Sequence, residues 1–109
     1  MYTIEYYSED VQDEILTLPD GLLARYFNLT DRMVIYGANL GEPHTLPMSK
    51  GLFELRLKSQ EGIARVMYCT LVGKRIVMLH SFVKKTQKTP KQDLNLALDR
   101  MKEVKNANT

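Results

Sequence analysis

Three segments in the second half of the chain predict three consecutive β-strands; the first alternates apolar and polar residues strictly, and the other two are largely apolar. They read LFELRLKS at 52–59, IARVMYCTLV at 63–72 and RIVMLHSFVK at 75–84. Because successive side chains of a strand point to opposite faces, Phe53, Leu55 and Leu57 are expected on one face, with Glu54, Arg56 and Lys58 on the other. Short turns join the segments, so we predict an antiparallel meander.

The first half of the chain predicts one strand followed by two helices. YTIEYY at 2–7 alternates and is rich in residues that favour strands. Ser8 can cap a helix that Pro19 ends. Asp20 can cap a longer helix that ends near Gly37. Apolar residues recur at helical spacing in both segments, so each helix has one face to bury.

A loop and a final helix complete the pattern. Glycines and prolines punctuate residues 38–51, which predicts a loop, and PKQDLNLALDRMKEV at 90–104 predicts a helix with Pro90 near its start. The predicted order is β-α-α-β-β-β-α, in a single α+β domain that spans residues 1–109. We expect the two N-terminal helices to cover one face of the sheet and the second face to be partly open.

Charge is distributed unevenly between the two halves. Residues 1–49 carry two basic and eight acidic side chains, a net charge of −6, whereas residues 50–109 carry thirteen basic and five acidic ones, a net charge of +8. Such an asymmetry favours a polyanionic partner for the second half. The acidic helices are therefore expected to lie opposite a basic face of the sheet.

The candidate chemistry of the chain is cationic. In a meander, residue 56 or 58 of one strand can lie near residue 65 of its neighbour, and the end of the third strand can complete the cluster. A solvated sheet face and a polyanion-binding site both fit this pattern. The basic residues concerned are Arg56, Lys58, Arg65, Lys84, Lys85 and Lys88.

Metal and cofactor chemistry is not indicated. Two histidines and one cysteine do not make an ordinary zinc site, and the chain has no glycine-rich phosphate loop. His44 is predicted to be an ordinary loop residue. His80 alternates with Met78 and Phe82, so we predict a packed, hydrogen-bonded histidine. Tyr68 fits either the edge of the core or a surface on which a base stacks.

Cys69 and the absence of targeting segments bear on localisation. Cys69 lies in a strand pattern and is predicted to be a small buried side chain in a reduced, cytoplasmic setting. The N-terminus lacks the basic start and apolar run of a signal peptide. No stretch approaches the roughly 18 apolar residues that span a membrane.

Several motifs together resemble the HigB-like branch of the RelE/ParE toxin superfamily. They are HTLP, GLFELRL, IARVMY and HSFVKKTQKTPKQDLNLAL, and the similarity covers about residues 40–100. The resemblance implies a bacterial or phage-borne type II toxin that is neutralised by an antitoxin, in this branch usually a small helix-turn-helix protein of the HigA kind. Many RelE-like members cleave mRNA in the ribosomal A site with no metal and no cofactor, whereas ParE-like members inhibit DNA gyrase.

By position, the resemblance implies catalytic roles for Arg56, Arg65 and Lys85. Nearby RNA-binding candidates are Lys58, Tyr68, Lys84 and Lys88. Some members carry a tyrosine or histidine near the C-terminus as a stacking or acid–base group. This chain has neither after residue 85, which leaves Tyr68 or His80 as substitutes.

Three functions follow as alternatives. The first is a metal-independent, ribosome-dependent mRNA endoribonuclease that inhibits translation. The second is a non-enzymatic, ParE-like inhibitor of DNA gyrase. The third is a basic module that binds nucleic acid without catalysis. The cluster of Arg56, Arg65 and Lys85 favours the first.

Overall fold

The computed structural model describes residues 1–84 and 88–108, which form five strands and three helices. In chain order they are β1 (Thr3–Tyr6), α1 (Glu9–Leu16), α2 (Asp20–Tyr36), β2 (Thr45–Pro47), β3 (Phe53–Ser59), β4 (Gly62–Leu71), β5 (Arg75–Val83) and α3 (Lys91–Ala107). Over these residues, no helix combines the length and apolar character needed to cross a bilayer.

The strands form one mixed sheet in the order β1-β5-β4-β3-β2. β3, β4 and β5 pair antiparallel in sequence order, so the predicted meander is confirmed. β1 adds to β5 as a parallel strand at the far edge. The fold is therefore α+β, as predicted.

The short strand β2 was not predicted. Its three residues pair antiparallel with β3, with Thr45 opposite Leu55. Three residues between glycine and proline signals are too few to show an alternation, and this strand exists through its pairing with β3. The observed order is β-α-α-β-β-β-β-α, one strand more than the predicted order.

Helices α1 and α2 cover one face of the sheet. Their apolar stripes place Ile15, Leu22 and Leu29 in a fully buried cluster with Leu55 and Leu57 of β3. The hydroxyl of Ser8 accepts a hydrogen bond from the backbone N–H of Val11, which confirms the predicted cap of α1. The four acidic residues of α1 belong to a helix that covers this face, whereas Arg56 and Arg65 point to the other face.

The start of α2 is capped from a distant part of the chain. Asp20 was predicted to be the cap, but it is the first helical residue, and Pro19 before it has no side-chain donor or acceptor. The carboxylate of Glu61, at the turn between β3 and β4, accepts a hydrogen bond from the backbone N–H of Gly21 instead. A carboxylate at this point also interacts favourably with the positive end of the helix.

Helix α3 packs on the second face, which was expected to be partly open. Ala97 and Met101 of α3 bury themselves against Leu52, Cys69 and Val77. Polar side chains lie at both ends of α3, with Glu54 and Thr89 near its start and Arg75 and Asn108 near its end. The prediction that Cys69 is buried is confirmed, and burial raises the pKa of its thiol.

A bulge in β5 determines which face His80 occupies. Met67 of β4 lies opposite His80 and Tyr68 opposite Met78, so Leu79 is an extra residue in β5. Met78 therefore faces α1 and α2, whereas His80 contacts α3 through a 2.6 Å bond from Nε2 to the Asp93 carboxylate. The prediction of a packed, hydrogen-bonded histidine is confirmed, but His80 does not share a face with Met78.

Candidate functional site

An open groove of about 530 Å³ runs around the outer edge of β3. One wall comes from α2 and the segment before β2, and the other comes from β3 and β4. The lining residues are Arg25, Pro43, His44, Arg56, Lys58, Ile63 and Arg65. Four of the seven are cationic and none is acidic, so the described part of this groove suits an anionic ligand.

Arg56 and Arg65 lie directly opposite each other on β3 and β4. Their side chains share a face because opposed residues of an antiparallel pair point the same way. The prediction that residue 65 lies near residue 56 or 58 is therefore confirmed. Like charges in this arrangement repel, so a counter-charge is needed to hold the pair together.

Glu54 provides that counter-charge. Its carboxylate is almost fully buried, at 1% exposure, and its Oε1 lies 3.3 Å from Nε of Arg56 and 3.1 Å from Nε of Arg65. The contact with Arg56 is a hydrogen bond, whereas that with Arg65 is an ion pair without hydrogen-bond geometry. Arg65 also donates from Nη1 to the carbonyl of Ala64.

Arg65 is much less exposed than the sequence pattern suggests. Its relative exposure is 8%, and burial lowers its pKa while the charge of Glu54 opposes that shift. Arginine stays charged in proteins, so the shift expresses the cost of desolvation and not a loss of the proton. The side chain of Arg56 is 34% exposed and is the more accessible of the two.

The segment before α3 is tied to the same carboxylate. Thr89 donates a 2.7 Å hydrogen bond to Oε2 of Glu54. Lys84, directly after β5, is half-buried, and its pKa is lowered by burial first and by the charge of Arg65 second. Lys88 is exposed beside Thr89, while Lys85 lies outside the described residues.

His44 is brought into the groove, although the sequence predicted only an ordinary loop residue. Its carbonyl accepts a 2.9 Å bond from the backbone N–H of Arg56, which continues the β2–β3 pairing. Arg25 Nη2 lies 3.2 Å from Nδ1 of His44. Because arginine only donates, Nδ1 is the acceptor, and the neutral ring carries its proton on Nε2.

Neither Glu54 nor His44 stood out in the sequence as a site residue. A carboxylate two residues before Arg56 on the polar face was the available signal for Glu54, but burial of that face depends on α3 and Thr89. The position of His44 depends on β2, whose three residues show no pattern.

Tyr68 does not fit the predicted contact with RNA. Its ring is fully buried on the face covered by α1 and α2, where it stacks on Phe53 at 5.4 Å between ring centroids. Its hydroxyl donates a 2.5 Å bond to the carbonyl of Ala38, and burial raises its pKa. Alternation along β4 places Tyr68 on the face opposite Arg65, so it presents no surface to a base in this groove.

His80 also lies away from the groove. Its side chain is 12% exposed and is held between Asp93 and the ring of Phe82. Neither of the two substitutes expected for a C-terminal tyrosine or histidine therefore lines the groove, whereas His44 does.

The mixed sheet with helices on both faces and a cationic groove at one edge defines a small α+β protein suited to an anionic ligand. The chain matches the family described as Phage derived protein Gp49-like (DUF891) over residues 13–102, and it belongs to that family. This is a RelE/toxin-like family in the broad sense, associated with the toxins of toxin–antitoxin systems. No curated protein matches the chain.

We expect His44 to titrate below its ordinary pKa of 6.5, because burial and then the charges of Arg25 and Arg32 disfavour the imidazolium. Arg25→Ala should raise the pKa only part of the way back, since burial is the larger cause. NMR titration of the ring measures both values. A folded pKa below the unfolded one means that this group stabilises the fold above about pH 6.5, and that its contribution is lost as the pH falls through the folded pKa.

The matched control for this titration is Arg100→Ala. Arg100 donates to the carbonyl of Leu79 and lies outside the groove lining. An unchanged His44 pKa in the Arg25 variant, or an equal change in both variants, would contradict the contact between Arg25 and His44.

Proposed function

We propose that this chain is the toxin of a type II toxin–antitoxin system, of the HigB-like kind, and that it cleaves mRNA on the ribosome. The observation that carries the proposal is the groove in which Arg56 and Arg65 stand side by side, with Arg25 and Lys58 around them. Membership of a toxin family supports it independently.

The reaction that suits these residues is transesterification of the RNA backbone. The 2′-oxygen attacks the adjacent phosphorus, a new 2′-O–P bond forms and the P–O5′ bond breaks. The hydroxyl proton leaves the 2′-oxygen, a proton reaches the departing 5′-oxygen, and the products are a 2′,3′-cyclic phosphate and a 5′-hydroxyl. The substrate supplies its own nucleophile, so the protein needs to align the groups and stabilise charge.

Arginine suits this charge stabilisation because its planar fork matches two phosphoryl oxygens at once. Arg56, the more exposed of the two opposed arginines, is assigned the direct contact, and Arg65 supports it from the more buried position. The neutral His44 offers an N–H donor from Nε2 on the other wall of the groove. Lys85 is the third proposed catalytic residue, and Lys58, Lys84 and Lys88 supply the wider positive field that attracts RNA.

The partners follow from this assignment. An antitoxin of the helix-turn-helix, HigA-like class would silence the toxin, and the ribosome with its mRNA, in the cytoplasm, would be the target. The acidic surface of α1 and the basic groove are two separate surfaces on which such an antitoxin could act.

Expression of the chain without an antitoxin is expected to stop translation and to cut mRNA within ribosome-bound reading frames. Primer extension on a reporter mRNA locates the cuts, and plasmid supercoiling is followed in the same cells. The control is the Arg56→Ala chain at matched abundance, which should leave mRNA whole. Intact mRNA together with a loss of supercoiling would contradict the proposal and favour gyrase inhibition. RNA binding without cleavage in a purified ribosome assay would favour a non-catalytic module.

A further inference from the structure

Glu54 is an unusual residue for the centre of a cationic site. Its carboxylate is buried almost completely, yet it contacts side chains from three different parts of the fold. Oε1 faces Nε of Arg56 on its own strand and Nε of Arg65 on β4, and Oε2 accepts the hydrogen bond of Thr89 just before α3. One carboxylate thus joins β3, β4 and the residue just before the start of α3.

Burial of the Glu54 carboxylate costs desolvation free energy, which other interactions must offset. A carboxylate removed from water is tolerated when it is paired and hydrogen-bonded, and both conditions are met here. The same carboxylate reduces the repulsion between two arginines that the strand register places opposite each other. Without it, the two guanidinium groups would separate.

The geometry of these contacts also fixes the orientation of the Arg56 guanidinium. Glu54 engages Arg56 through Nε, the nitrogen nearest the strand, at 3.3 Å. Holding Nε orients the guanidinium plane while the two terminal nitrogens extend beyond it. A bidentate contact with a phosphate requires such an oriented plane, because both N–H···O bonds form only in one relative orientation.

We propose that Glu54 is the positioning residue of this site: it orients the guanidinium of Arg56 and holds Thr89, just before α3, against β3. This inference rests on the proposed cleavage of RNA but assigns a role to a residue that has no direct part in the chemistry. It makes a distinctive prediction, because Glu54 is an acid beside a polyanion-binding groove. Its charge opposes RNA binding, while its contacts support the reaction.

Glu54→Gln preserves the shape of the side chain and removes the charge. Affinity for RNA should stay the same or rise, since the groove becomes more positive. Single-turnover cleavage on programmed ribosomes should fall by at least about tenfold, since a guanidinium displaced by an ångström loses its alignment with the phosphate. The matched control is Glu103→Gln, which makes the same charge change on α3, where Glu103 accepts a hydrogen bond from Tyr7. That variant should leave the cleavage rate unchanged.

Three measurements test whether Glu54 positions Arg56. Fluorescence anisotropy with a short single-stranded RNA at several salt concentrations gives the affinity. Cleavage is measured per folded molecule, with the folded fraction taken from thermal melts. The Nε–Hε NMR signal of Arg56 reports the hydrogen bond to Glu54 and needs no activity; it should shift and exchange faster with water in Glu54→Gln.

Thr89→Val leaves the carboxylate in place and should lower cleavage less, by about threefold.

A purely structural role would give a different pattern. Cleavage per folded molecule equal to that of the parent, or an unchanged Arg56 signal, would overturn the proposal. A parallel fall in affinity and cleavage would do the same. Should Glu54→Gln fail to fold, Thr89→Val decides, and an unchanged rate and Arg56 signal there would overturn it. Should the parent chain not cleave mRNA, the proposed function fails, while affinity and the Arg56 signal still test whether Glu54 orients this arginine.

Discussion

Arg56→Ala is expected to slow single-turnover cleavage of ribosome-bound mRNA by on the order of 10²–10³-fold, as for the loss of one donor to a developing oxyanion. The melting temperature should change little. The side chain of Arg56 is about one-third exposed, and Arg65 still neutralises Glu54 in its absence. Rapid-quench cleavage assays and thermal melts on the same preparations measure the two effects.

Lys102→Ala is the matched control for Arg56→Ala, because it removes one exposed positive charge from α3, outside the groove. If both variants cut at the parent rate, Arg56 does not stabilise the reacting phosphate. If both slow cleavage equally and the loss shrinks as salt rises, the groove attracts RNA only through its overall charge.

Arg65→Ala is expected to act first on stability, with a loss of about 3 kcal/mol or more, because it leaves a buried carboxylate without its closest cation. An arginine near the start of a predicted strand indicates a solvent-facing side chain whose removal is nearly neutral. Its 8% exposure and its 3.1 Å ion pair with Glu54 indicate the opposite. Urea unfolding measures the change as a lower midpoint at an unchanged slope.

The double variant Arg65→Met with Glu54→Leu separates the ion pair from simple loss of packing. Replacing both charges by apolar groups of similar size should recover much of the stability, since no charge is then left buried. It should not recover cleavage. An unfolding midpoint in Arg65→Ala equal to that of the parent would show that the pair adds nothing to stability.

Most of the secondary structure could be predicted from local patterns. Alternation in residues 52–59 and the apolar runs that follow it identified three strands, and short turns fixed their antiparallel order. The cover on the second face could not be inferred in the same way. β4 carries apolar residues on both faces, with Met67 and Cys69 against α3 and Val66 and Tyr68 against α1 and α2. That two-sided pattern is the signal that both faces are covered.

The sequence predicted only the part of the site that the register between β3 and β4 determines. Arg56 and Arg65 meet because of strand pairing, which the turn between the strands fixes. Glu54 and His44 depend on contacts between residues that are distant in sequence, with Thr89 in one case and Arg25 in the other. Tyr68 was ambiguous because an aromatic residue suits either face of a strand, and only the packing of α2 decides between them.

The capping of α2 by Glu61 has a mechanical consequence for any ligand of the groove. Glu61 lies at the tip of the β3–β4 hairpin. Its carboxylate accepts a hydrogen bond from the first turn of α2, the helix that carries Arg25. This hydrogen bond connects the two walls of the groove at one end. Arg25 belongs to one wall and Lys58 to the other. The distance between the walls is therefore set in the free protein. A ligand that binds does not have to bring the walls together, so less of its binding free energy is lost to ordering the protein.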